Sequence, residues 1–110
     1  MLLDLLNKSE DLLAHRPGSA MMVHCSAGVG RTGVTILADI LLYCIDHNIH
    51  IDLPKVVTHL RQQRMLMVQT VSQYKFVHTV LIKYLAQSRI VIVLILNTLL
   101  VSCAEYLFLK

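Results

Sequence analysis

The stretch Val23-His24-Cys25-Ser26-Ala27-Gly28-Val29-Gly30-Arg31-Thr32-Gly33 decides how this chain is read. Just upstream, Ala20-Met21-Met22-Val23-His24 is an apolar run too short for a helix and suited to a buried strand. Downstream, from Thr32 to about Asp46, Val34, Ile36, Leu37, Ile40, Leu41, Leu42 and Ile45 recur at helical spacing. The sequence therefore predicts a strand that delivers a cysteine into a loop of small residues, which runs into a helix N-terminus.

Such a loop has a chemistry of its own. Gly28 and Gly30 let consecutive backbone N–H groups turn inward and form an anion nest. A helix beginning near Arg31 adds its positive dipole end. Arg31, six residues after Cys25, is placed to close over the nest and grip two oxygens of a tetrahedral anion. The same field predicts a depressed pKa for Cys25, giving a thiolate aimed for in-line attack on phosphorus. Thr32 is expected to donate its hydroxyl to the sulfur and stabilise it as the leaving group of a second step. The walls formed by Ser26, Ala27, Gly28, Val29 and Gly30 would bind the equatorial oxygens. His24 reads either as a residue that orients the loop from behind or as simple packing. Cys44 and Cys103 read as packing residues.

The rest of the chain reads as helices. Leu2, Leu3, Leu5, Leu6, Leu12 and Leu13 form a helical pattern that Arg16-Pro17-Gly18-Ser19 stops. Asp52 is a good N-cap for a helix that tolerates Pro54 in its first turn. Thr70 caps a last amphipathic helix through Val71, Tyr74, Phe76, Val77, Val80, Leu81 and Tyr84. The order is helix, strand, glycine loop, then three helices. One strand makes no sheet, so the expected fold class is α/β with most of the sheet missing, a strand and phosphate loop followed by a helical bundle.

Composition closes off several function classes. With 110 residues there is room for one domain at most, and 55% hydrophobic against 15% charged residues excludes disorder as the global state. A net charge of +3 with no two adjacent Lys or Arg argues against nucleic acid and mildly favours an anionic ligand. Three irregularly spaced cysteines suit a reducing, cytoplasmic compartment rather than a disulfide scaffold or zinc site; no metal or cofactor is expected. The first residues, Met1 to Lys8, do not resemble a signal peptide.

A shift comes at Ile90. No charge occurs from residue 90 to residue 104, a window of 15 residues. A spanning helix needs roughly 20 apolar residues, so three readings of this tail stay open: membrane contact through 90–109, a buried element, or a non-native extension. The chain divides accordingly into 1–89 and a hydrophobic extension, 90–110.

His-Cys-x5-Arg-Thr, as it stands in His24 to Thr32, resembles the signature of the protein tyrosine phosphatases. Gln69-Thr70-Val71-Ser72-Gln73-Tyr74 is similar to a downstream motif of the tyrosine-specific branch. The wording around Arg61-Gln62-Gln63-Arg64 is particularly similar to the non-receptor group with an N-terminal FERM domain, the Pez-like group, and the resemblance covers residues 2 to 89. It implies hydrolysis of phosphotyrosine in proteins through a cysteinyl-phosphate intermediate. It implies that Gln69 positions the hydrolytic water, that Gln73 assists at the substrate, and that Arg61 and Arg64 buttress the phosphate loop.

The family also draws a general acid from a Trp-Pro-Asp loop well before the nucleophile. Here 24 residues precede Cys25, there is no Trp, and neither Pro17 nor Pro54 is followed by Asp. Missing acid catalysis costs on the order of 10²–10⁴-fold in rate. The expectation is a C-terminal portion of a phosphatase domain with crippled turnover. The alternatives are a catalytically silent phosphotyrosine or oxyanion binder and a non-functional truncated product.

Overall fold

The computed structural model describes residues 1–88, which form four helices. The tail, with Cys103 and the three readings of 90–110, lies outside the described residues. Helix α1 spans Leu2–Ala14, α2 Gly30–Asp46, α3 Leu53–Gln63 and α4 Val71–Ser88. The starts of α3 and α4 follow local chemistry. The Asp52 side chain accepts a hydrogen bond from the Lys55 amide at 3.3 Å, capping α3 as its sequence implies, with Pro54 in the first turn. Thr70 Oγ1 accepts from the Gln73 amide at 3.2 Å, while Gln73 Oε1 accepts from the Thr70 amide at 3.1 Å. That reciprocal pair is a capping box at the head of α4.

α2 packs chiefly against α4, with α1 against α4 and α3 against α2. Leu37, Ala38 and Leu41 of α2 meet Tyr74, Val77, Leu81 and Leu85 of α4 in a fully buried core. Leu3 and Leu6 close it from α1, and Leu53, Val57 and Leu60 from α3. Away from the loop, Tyr84 donates its hydroxyl to Asp46 and ties the end of α4 to the end of α2. No helix among the described residues is long and apolar enough to cross a membrane.

The expected strand at 20–24 is not formed, and no strand occurs among the described residues. A lone strand leaves its amides and carbonyls without a ladder, so nothing holds the segment in strand geometry. Met22 is accordingly 89% exposed rather than buried. The described fold is thus helical, and the α/β expectation is corrected for these residues.

Candidate active site

Cys25 sits in the loop that feeds α2. Its Sγ accepts the Thr32 hydroxyl at 3.0 Å and the Gly28 amide at 3.3 Å. Thr32 is buried on the first turn of α2, so its hydroxyl approaches the sulfur from a fixed direction. The Cys25 thiol is lowered from 9.0 to about 6, chiefly by that hydroxyl, then by the Thr32 backbone N–H and those of Gly28 and Val29, against an opposing desolvation effect. At pH 7 a pKa of about 6 leaves about ten thiolates for each thiol.

The loop curls because Gly28 adopts φ +72°, the left-handed region that costs glycine little. No side chain caps the N-terminus of α2, so its first amides remain available to an anion. Arg64 holds the loop from outside: Nε donates to the Gly28 carbonyl at 3.0 Å and NH2 to the Ala27 carbonyl at 3.3 Å. Carbonyls pulled outward leave the following amides facing the sulfur.

A second clamp fixes the segment that follows α3. Arg61 donates to the Met67 carbonyl at 3.0 Å and to the Val68 carbonyl at 2.8 Å. Leu66 and Val68 sit at φ +62° and +60°, a strained geometry for a leucine and a β-branched residue that these clamps hold. The Val68 amide donates to the Val29 carbonyl at 3.1 Å, which joins this segment to the loop. Gly33 makes the approach feasible, since a Cβ there would lie 2.3 Å from the Val68 nitrogen. Both glutamines end up beside the loop: a Cβ on Gly30 would meet Gln73 Nε2 at 2.8 Å and Gln69 Oε1 at 3.2 Å.

Most of the residues singled out by sequence therefore meet: Cys25, Gly28, Val29, Gly30, Thr32, Arg61, Arg64, Gln69 and Gln73. Ser26 and Ala27 are exposed on the loop's rim. Arg31 is exposed, lines a groove beside the cup, and is not among the causes that lower Cys25. His24 is exposed, and among the described residues its ring makes no hydrogen bond to the loop. Sequence reasoning missed the second duty of Gln73, although Thr-x-x-Gln spells a capping box. Cys44 is a free thiol packed against the core.

Residues 1–83 match the family model described as protein-tyrosine phosphatase. The rat tyrosine-protein phosphatase non-receptor type 21 is 56% identical over 75 residues, which is 68% of this chain and 6% of that protein. The mouse non-receptor type 14 is 52% identical over 71 residues, 64% of this chain and 6% of its own length. The mouse non-receptor type 20 is 45% identical over 65 residues, 59% of this chain and 15% of its own length. The match thus spans a small part of each of these relatives.

Proposed function

Because the chain belongs to the protein-tyrosine phosphatase family, we propose that it carries the phosphate-binding part of a domain that hydrolyses phosphotyrosine in proteins through a cysteinyl phosphate. The observation that carries this reading is the Cys25 sulfur, held by a buried threonine hydroxyl and inward amides and shifted down to about 6. In the first step the thiolate attacks phosphorus, an S–P bond forms, and the P–O bond to the tyrosyl oxygen breaks. That oxygen leaves with a proton from an acid. In the second step water attacks phosphorus, the S–P bond breaks, and inorganic phosphate departs as the sulfur returns to its hydrogen bonds with Thr32 and Gly28.

The remaining roles follow from position. Arg31 and the amides of Ser26 to Gly30 take the phosphoryl oxygens. Gln69, beside Gly30, orients the water, and Gln73 supports it while capping α4. Arg61 and Arg64 position the loop without touching the phosphate. The non-receptor relatives and the free thiols Cys25 and Cys44 support a cytoplasmic setting.

No Trp-Pro-Asp segment occurs in the 110 residues. Turnover by this chain therefore depends on how little protonation the leaving group needs. The test compares a nitrophenyl phosphate with phenyl phosphate on wild type, Cys25→Ser and Arg31→Ala. The expected result is turnover of the nitrophenyl ester alone, abolished by either substitution. Activity that survives Cys25→Ser removes the assigned nucleophile. Binding of a phosphotyrosine peptide without turnover of either ester would make the chain a silent phosphate binder.

A further inference from the structure

Gln69, assigned to the hydrolytic water, follows directly on a strained stretch of backbone. Val68 is fully buried at φ +60°, and Leu66 sits two residues earlier at φ +62°. A β-branched residue is rarely left-handed, and the geometry persists only where its surroundings over-determine it. Here both peptide planes that flank Val68 are fixed. In the first, the Met67 carbonyl accepts from Arg61 Nε at 3.0 Å and the Val68 amide donates to the Val29 carbonyl at 3.1 Å. In the second, the Val68 carbonyl accepts from Arg61 NH2 at 2.8 Å and the Gln69 amide donates to Gln73 Oε1 at 2.9 Å. One guanidinium therefore grips both planes, and the angle between those planes is what the torsions of Val68 describe.

We propose that Arg61 is a positioning residue for the second chemical step: it holds Val68 in the left-handed region and thereby aims Gln69 at the attacking water. The inference rests on the cysteinyl-phosphate reading. In that step the water oxygen bonds phosphorus, the S–P electron pair returns to sulfur, and the water's proton passes to solvent. Gln69 Oε1 accepts a hydrogen bond from the water and so fixes its line of approach. The oxygen is already beside the loop, where a Cβ on Gly30 would meet it at 3.2 Å. If Val68 relaxed into the extended or right-handed region, the second peptide plane would turn and carry Gln69 away from Gly30.

The two arginines then divide the reaction between them. Arg64 holds the Ala27 and Gly28 carbonyls of the loop itself, so it bears on the sulfur and the first step. Arg61 holds the carbonyls of Met67 and Val68, so it bears on the glutamine and the second. A guanidinium suits the task because its nitrogens lie in one rigid plane and fix two acceptors relative to each other. Arg61 is also half-buried, where solvent competes less for its bonds than at exposed Arg64.

The experiment uses the full chain with a nitrophenyl phosphate and reads two quantities. One is the rate at which phosphorylated Cys25 loses its phosphate, by acid quench and peptide mass spectrometry. The other is the pH midpoint of Cys25 alkylation. Arg61→Lys keeps the charge but lacks the planar fork. It should slow loss of phosphate by about 10- to 100-fold, the order of penalty for a misplacement of about 1 Å, while the alkylation midpoint stays near 6. Added to Gln69→Ala, it should cost nothing beyond Gln69→Ala alone, because the arginine acts through that glutamine. Losses that multiply in the double variant, an unchanged rate in Arg61→Lys, or a midpoint raised toward 9.0 would each overturn the proposal. Absence of phosphorylated Cys25 from the wild type as well as from Gln69→Ala would instead overturn the phosphatase reading, and this inference with it.

Discussion

Replacing Thr32 with alanine removes the hydroxyl that lies 3.0 Å from Cys25 Sγ and contributes most to lowering its pKa. The backbone N–H of residue 32 stays, as do those of residues 28 and 29, so the thiol should move from about 6 part of the way toward 9.0. A complete return would cut the thiolate present at pH 7 about 90-fold. Intrinsic nucleophilicity rises with pKa, with a Brønsted coefficient of about 0.4–0.5, and three units give back about 15–30-fold. A rate at one pH therefore hides most of the change, and the midpoint of the pH profile is the proper observable. The assay is iodoacetamide alkylation from acid to alkaline pH, with Cys25 separated from Cys44 and Cys103 by peptide mapping. Wild type should show a midpoint near 6. Thr32→Ala should move it up by about one unit or more, and Thr32→Ser should restore it. An unchanged midpoint in Thr32→Ala would refute the hydrogen-bond origin of the activated sulfur.

Other consequences follow from the same contacts. Gly33→Ala forces a methyl to within 2.3 Å of the Val68 nitrogen, so backbone must move; a loss of about 2–3 kcal/mol is expected from urea midpoints. Arg64→Ala releases the Ala27 and Gly28 carbonyls; for an exposed clamp the cost is about 1–2 kcal/mol, and the Cys25 midpoint should rise as the Gly28 amide loosens. Arg64→Lys should not rescue it, because a single ammonium lacks the guanidinium fork. Stability should also depend on pH through Cys25. Its folded pKa is depressed, so its contribution is complete above 9.0, declines as pH falls toward about 6, and is absent below. Cys25→Ser should flatten unfolding free energy across that window, as read by denaturant titration.

How much of this was legible in the sequence differs by element. Helices whose start signals are local could be read: Asp52 and Thr70 cap α3 and α4 as their side chains imply. The loop was legible too, because Cys25, Gly28 and Thr32 lie within eight residues of one another and their contacts are local. The residues at 20–24 failed as a strand because strand formation is decided by a neighbour, not by the segment's own apolar content. Attribution of the Cys25 shift also changed. Sequence suggested a field from the loop's inward amides, the helix end and Arg31; the amides and the Thr32 hydroxyl are among the causes, the hydroxyl being the largest, and Arg31 is not. The bonds from Arg64 to Ala27 and Gly28 cross 37 and 36 residues of chain; only the family resemblance pointed to them. Nothing in the residues themselves marks Leu66 and Val68 for positive φ; they flank Met67, whose carbonyl, like that of Val68, accepts from Arg61.

The decisive measurement is an acid quench of the full chain during reaction with a nitrophenyl phosphate, followed by peptide mass spectrometry. Attack by the sulfur should leave a phosphoryl group on the Cys25 peptide, with more of it in Gln69→Ala, where the water is poorly held. Release of nitrophenol with no label on Cys25 in either protein, or label on Cys44 instead, would contradict nucleophilic catalysis at this loop.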